Sequence, residues 1–192
     1  REIRASEKRF YQKLRDLFAL SSDYDTTDKA TQMFFFFIQN KLLYAVTQKT
    51  AAEIIVSRAD ANSPNMALTN WKGTKVRKQD IYIAKNYLTK DEIDTLNRLV
   101  VIFLETAELR IKERIDISME FWTKNVDRLL EFNNKPLLAS KGSISNKEME
   151  DKVSEMYHLF EDRRKKQEAI ADDKMELNEL NELEKKLKRR EK

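Results

Sequence analysis

Cysteine is absent from the 192-residue chain, and glycine and proline occur only twice each. Without cysteine there is no disulfide, no thiolate nucleophile and no Cys-ligated zinc site. Four glycines and prolines cannot supply the many reversals of a β-sandwich or barrel, so long helices are expected instead. The four residues occur in two pairs, Pro64 with Gly73 and Pro136 with Gly142. They divide the chain into three helical blocks.

Long hydrophobic runs are also absent. The longest, Met33 to Ile38, is far shorter than the roughly 20 residues that span a bilayer, and no signal peptide is visible. We therefore expect a cytoplasmic protein with no membrane partner. Hydrophobic residues make up 41% and charged residues 36% of the chain, which suits helices with one buried and one solvated face.

Hydrophobic spacing and capping signals predict the helices. Helical patterns cover 2–20 and 27–47, and the second has apolar residues all around its axis, which predicts the buried centre of the domain. A capping box at 50–53 opens a short helix, another short helix is expected within 76–88, and a long one follows Thr89. It breaks near 116–118 and resumes to about 130.

The predicted fold is all-α, a compact helical domain with a long C-terminal helix. We assign residues 1–160 to the domain, with loops at 62–74 and 133–142, and 161–192 to a charged helical extension. The extension is the last part of a helix that begins at a cap near Ser145. Along the extension, a partial heptad seam is interrupted by two acids, so a weak coiled coil and a frayed, solvated helix are equal alternatives. The seam comprises Ile170, Leu177, Leu180 and Leu187, with Asp173 and Glu184 interrupting it.

Histidine occurs once, at His158 on the last predicted helix. A lone helical histidine is far more often a packing or surface residue than a catalyst. Serine triads and histidine-based zinc sites therefore have no support. We expect no metal and no cofactor, and any catalysis would have to use carboxylates, lysine, tyrosine or hydroxyls.

Basic residues are concentrated at the C-terminus. Six basic residues and one acidic residue give 185–192 a charge of +5, which leaves −1 of the total +4 for the rest. Positive charge at a helix C-terminus is favoured by the helix dipole. The same residues are phosphate-binding candidates. They are Lys185, Lys186, Lys188, Arg189, Arg190 and Lys192. A smaller cluster, Lys72, Lys75, Arg77 and Lys78, could touch phosphates, although charged loops are common.

Polar residues surround the most hydrophobic helix and form the candidate polar pocket. In the structural interpretation, which we favour, these residues satisfy one another's hydrogen bonds or cap helix ends. In the functional interpretation they line a ligand pocket. Buried acids must meet bases, so Arg58 is expected to pair with Asp60 or Glu53, and Lys85 with either of those carboxylates. The set is Asn40, Lys41, Glu53, Arg58, Asp60, Trp71, Lys85 and Asn86.

The same residues carry a family resemblance. Through about Phe160, the chain resembles the C-terminal region of the RhuM virulence-protein family, whereas the tail from Glu161 looks divergent. The matching stretches are Phe10-Tyr11-Gln12-Lys13, Ala30-Thr31-Gln32-Met33-Phe34-Phe35, Gln39-Asn40-Lys41, Thr50-Ala51-Ala52-Glu53, Arg58-Ala59-Asp60, Leu68-Thr69-Asn70-Trp71 and Ile83-Ala84-Lys85-Asn86-Tyr87-Leu88, then Glu92, Ala107-Glu108 and Trp122.

This resemblance implies an association with virulence or mobile-element loci and a small N-terminal DNA-reading domain. Because Arg1 already looks helical, we expect the sequence to be a fragment from which that domain is missing. A similar N-terminal part is also found joined to Fic-type domains, but the histidine-centred Fic motif has no match here. The resemblance implies no established reaction.

Two functions follow from these observations. We favour a non-enzymatic interaction or regulatory module that forms a weak homodimer, with nucleic acid bound by the C-terminal tail or by the N-terminal domain. The alternative is an enzyme that acts on nucleic acid or a nucleotide through the polar pocket, with Glu53, Asp60 and Lys85 reacting and Asn40 and Arg58 binding.

Overall fold

A computed structural model describes residues 12, 15–21, 23, 28–113, 115 and 117–190, without the side chains of 28, 30–32 and 183–190. Every regular element in this part of the chain is helical and none is a strand, which confirms the all-α prediction. Residues 15–18 are helical, and the rest of the helix predicted over 2–20 lies largely outside the described residues.

Five α-helices form the described fold. They are α1 (Asp28–Thr47), α2 (Ala51–Arg58), α3 (Lys90–Lys112), α4 (Met119–Phe132) and α5 (Asn146–Arg190), and two 3₁₀ turns, Pro64–Ala67 and Ala84–Tyr87, lie between α2 and α3. α1 packs against α2, α3 and α4, while α2 packs against α5 and the second 3₁₀ turn. No described helix is long and apolar enough to cross a bilayer.

Side-chain caps fix where the helices begin. Thr50 and Glu53 form a capping box at the start of α2, and Thr89 and Glu92 form another at the start of α3. In each box the Thr hydroxyl accepts a backbone N–H and the Glu carboxylate accepts the N–H of the Thr, so two otherwise unpaired donors are satisfied. Ser145 accepts the N–H of the third residue of α5, as its position in the sequence predicts.

An aromatic cluster lies at the centre of the core. Trp122 is fully buried, and its ring centroid is 5.3 Å from that of Phe18 and 5.9 Å from that of Phe103. Its indole N–H donates to the hydroxyl of the buried Ser21 at 2.8 Å. Burial of such a side chain with its polar atom satisfied is strongly favourable, and it joins α3 and α4 to the segment that precedes α1.

Two sequence expectations about the helices are confirmed only in part. Residues 76–88 contain only the 3₁₀ turn Ala84–Tyr87, because Asp80 and Asn86 hydrogen-bond to the local backbone and so compete with an α-helix. The helix α1 is not buried around its whole circumference, because the side chains of Met33, Phe36 and Phe37 are 65%, 57% and 39% exposed.

Candidate functional site

Glu53 joins two separate parts of the chain. One carboxylate oxygen accepts the N–H of Thr50 at 2.8 Å, while the other accepts the N–H and the hydroxyl of Ser143, both at 2.7 Å. Hydrogen bonds from the Ser143 and Thr50 backbones lower the pKa of Glu53 to about 2. The carboxylate is therefore an anion that holds the 133–145 loop onto the start of α2.

Gly142 allows this loop to approach α2 closely. Its φ is +88°, and a Cβ there would lie 2.7 Å from Thr50 Cγ2 and 2.9 Å from Thr50 Oγ1. Contacts that short do not occur between real side chains, and the left-handed φ also favours glycine. Gly142, one of the four glycines and prolines that divide the sequence, therefore lies where the loop packs closely against the capping box.

Asn40 and Lys41 also make contacts that hold the fold together. Asn40 Oδ1 accepts the N–H of Ala51 at 2.9 Å, which satisfies a further free donor at the start of α2. Lys41 Nζ donates to both carboxylate oxygens of Asp127 at 2.5 and 2.6 Å and lies 4.8 Å from the Phe37 ring centroid. The Lys41 side chain is 8% exposed and that of Asp127 is 31% exposed, so this part-buried pair ties α1 to α4.

Arg58 pairs with Glu92, and not with Asp60 or Glu53 as the sequence predicted. Its two terminal nitrogens donate to the two oxygens of Glu92, both at 2.6 Å, and one of them also donates to the carbonyl of Tyr87 at 2.8 Å. The hydrogen bonds raise the pKa of Arg58 and lower that of Glu92. This bidentate ion pair joins the end of α2 to the start of α3.

The remaining members of the predicted pocket are dispersed. Asp60 is exposed and accepts from Asn62 N and Ser63 Oγ in its own turn. Asn86 is buried and donates to the Asp80 carbonyl at 2.8 Å.

Lys85 is also buried, within the second 3₁₀ turn. Trp71 is half-buried against the core, and its buried indole N–H has no hydrogen-bond partner in the described part of the chain.

One cleft is lined mostly by apolar side chains and contains only Asn40 of the predicted polar set. It has a volume of about 580 Å³ and lies between α1, α2, the 82–84 segment and the start of α5. Its walls include Phe35, Phe36, Gln39, Ile55, Tyr82, Met149 and Glu150. Within the described residues, no group of three histidine, aspartate or glutamate side chains is placed to hold a metal ion.

Sequence reasoning missed Glu92, Asp127 and Ser143, the residues that engage the predicted set. Glu92 is separated from Arg58 by 34 residues, and Asp127 from Lys41 by 86. No local pattern could identify these partners, although the capping position of Glu92 was visible. The arrangement is a set of links between helices, and it does not gather the predicted reactive residues into one pocket.

The second half of α5 projects from the rest of the described fold, which we call the body. Met149, Val153, Tyr157 and Phe160 are buried, whereas every described side chain from 165 to 182 is exposed. The last hydrogen bond to the body that we find joins Lys75 Nζ to Glu168 Oε1 at 2.6 Å. The backbone of the basic tail remains helical through Arg190, and its candidate phosphate-binding side chains, Lys185, Lys186, Lys188, Arg189 and Arg190, lie outside the described side chains.

Comparison with known proteins gives one match. No curated protein and no solved structure shows significant similarity to the chain. The family model of the virulence protein RhuM family matches residues 1–168, which include the whole body and the first half of α5. The chain therefore belongs to the RhuM virulence protein family.

Proposed function

We propose that the chain is a helical interaction module of a RhuM-family virulence protein, and that it pairs weakly with a second copy of itself through the end of α5. The projection of α5 carries this proposal. The 22 residues from 169 to 190 extend for about 33 Å at 1.5 Å per residue, beyond the last hydrogen bond to the body in the described part of the chain. An isolated helix of that kind gains little from propensity alone and is stabilised mainly by packing.

Exposed apolar residues mark the face that would pair. Ile170, Leu177 and Leu180 follow one another at intervals of seven and three residues and are 55–60% exposed. Those intervals place them along one seam of the helix, as in a coiled coil. Asp173 and Glu184 interrupt the seam, so the interface is weak.

Charge blocks favour an antiparallel pair. Residues 172–184 contain six acids and one lysine, a charge of −5, and 185–192 carry +5. Parallel helices would place like blocks side by side, whereas an antiparallel register with Leu177 opposite the partner's Leu187 places Glu176 opposite the partner's Lys188. Such complementarity at flanking positions sets the orientation of paired helices.

The regulatory and DNA-contacting part of the proposal rests on the family. A module that brings two copies together would position two of the DNA-reading domains that the resemblance implies, and two half-sites bind more tightly than one. The alternative, an enzyme with a polar pocket, is less well supported because Glu53, Arg58 and Asn40 are used to join helices.

Sedimentation equilibrium tests the pairing. At high micromolar concentration the wild-type chain should approach the mass of a dimer, and the variant Leu177→Asp/Leu180→Asp should remain a monomer. The matched control, Leu109→Asp/Leu159→Asp, changes two leucines that are 55% and 66% exposed elsewhere, and should dimerise like the wild type. A wild-type chain that is monomeric throughout would refute the proposal, as would dimerisation of the seam variant.

A further inference from the structure

A stretch of the body without acids lies beside the middle of α5. No aspartate or glutamate occurs in residues 61–79, although the segment contains Lys72, Lys75, Arg77 and Lys78. All four side chains are exposed. Because the chain outside the basic tail has a net charge of −1, these four cations are a local concentration of charge on a nearly neutral body.

α5 holds this segment in place. Arg164 Nη1 donates to the carbonyl of Val76 at 3.3 Å, and Lys75 Nζ lies 2.6 Å from Glu168 Oε1. Lys165, the residue after Arg164, is exposed and lies 4.0 Å from Glu161 of the same helix. The segment therefore has a rigid support, and its cations are not on a free loop.

A turn within the segment is fixed by Asp80 and Gly73. Asp80 is completely buried and accepts the N–H of Arg77 at 3.0 Å, so its charge faces inward. Gly73 has a φ of +94°, and the position of its missing Cβ is 3.8 Å from Arg77 Nη2. The left-handed turn at Gly73 therefore lies close to the guanidinium of Arg77.

We propose that this basic surface, formed by Lys72, Lys75, Arg77 and Lys78, binds the phosphate backbone of duplex DNA without reading its sequence. Clustered cations bind a duplex because they release its condensed counterions. Single-stranded nucleic acid is held largely by stacking on aromatic rings. The one aromatic residue of the segment, Trp71, is half-buried against the core, so the surface offers charge and no stacking platform.

Fluorescence anisotropy with the full chain and a 20-base-pair mixed-sequence duplex tests this inference. The variant Lys72→Gln/Lys75→Gln/Arg77→Gln/Lys78→Gln removes the surface charge. Its control, Lys90→Gln/Lys124→Gln/Arg128→Gln/Lys147→Gln, removes three lysines and one arginine that are exposed elsewhere. Circular dichroism and thermal melting should show both variants folded.

At 50 mM salt the surface variant should bind at least about tenfold more weakly, and the control within about twofold of the wild type. The slope of log K against log salt should become shallower by about 3.6, since each of the four lost phosphate contacts removes about 0.9. The inference is overturned if the two variants bind alike, if only neutralising the basic residues at 185–190 weakens binding, or if the wild type binds no duplex. It is also overturned if the surface charges affect only binding to phosphatidylserine vesicles.

Discussion

Replacing Glu53 by glutamine should loosen the contact between the start of α2 and the loop that leads into α5. The carboxylate accepts three hydrogen bonds from Thr50 and Ser143. An amide has only one acceptor oxygen and would turn its NH₂ group toward one of those donors. Thr50 or Ser143 would then lose its partner, and the negative charge at the helix N-terminus would be lost as well.

The expected loss is about 2 kcal/mol at neutral pH, the usual value of hydrogen bonds to a charged group. For a chain of this length, that loss lowers the melting temperature by about 4–8 °C. Since folding lowers the pKa of Glu53 from 4.5 to about 2, its stabilisation is present above pH 4.5 and is lost as the pH falls toward 2. The difference between wild type and variant should shrink across that window.

Thermal melting followed by circular dichroism at pH 7 and pH 3 measures both effects. Glu148→Gln is the matched control, because Glu148 occupies the same capping position in α5 and makes its side-chain ion pair with Lys152 of the same helix. The control should lose less stability at pH 7. Equal losses in the two variants, or a Glu53→Gln loss that is the same at both pH values, would refute the role given to Glu53.

Three further changes test the links between helices. Gly142→Ala should cost about 1–3 kcal/mol through backbone strain, plus the clash with Thr50 that the 2.7 Å approach implies, and chemical denaturation would measure it. A double-mutant cycle of Lys41→Met with Asp127→Leu should give a coupling energy of at least about 1 kcal/mol, whereas additive losses would show that the pair is not coupled. Arg58→Lys should cost about 1–2 kcal/mol because a lysine cannot keep the bidentate contact, and an unchanged melting temperature would contradict that role.

Local signals predicted the helix starts well. The capping box at Thr50 and Glu53 and the cap at Ser145 depend on residues three apart, so the sequence contains the whole of each motif. The extent of α1, Asp28–Thr47, also agrees with its hydrophobic pattern. In contrast, residues 76–88 have helical spacing, but the side chains of Asp80 and Asn86 bond to the backbone instead.

Tertiary neighbours could not be predicted from the sequence alone. Arg58 had two acids close to it in sequence, yet its partner is Glu92, which the 3₁₀ turn and the start of α3 bring beside it. The exposure of Phe36 has a similar origin, because an apolar pattern shows that a face can be buried and not which element covers it. The polar set was therefore predicted as one cluster, and the structure distributes it over several helix contacts.

The distance between two spin labels on α5 tests the proposed pairing most directly. Because the chain has no cysteine, Asp172→Cys provides a single labelling site on the exposed part of α5. In the antiparallel register, with Leu177 opposite the partner's Leu187, the two labels should lie about 30 Å apart, at 1.5 Å per residue along the helices. Double electron–electron resonance at high micromolar concentration should show that distance and lose it in Leu177→Asp/Leu180→Asp. A distance of about 10–15 Å would contradict the antiparallel orientation, since parallel helices pack 8–10 Å apart, and no defined distance would contradict pairing through α5 altogether.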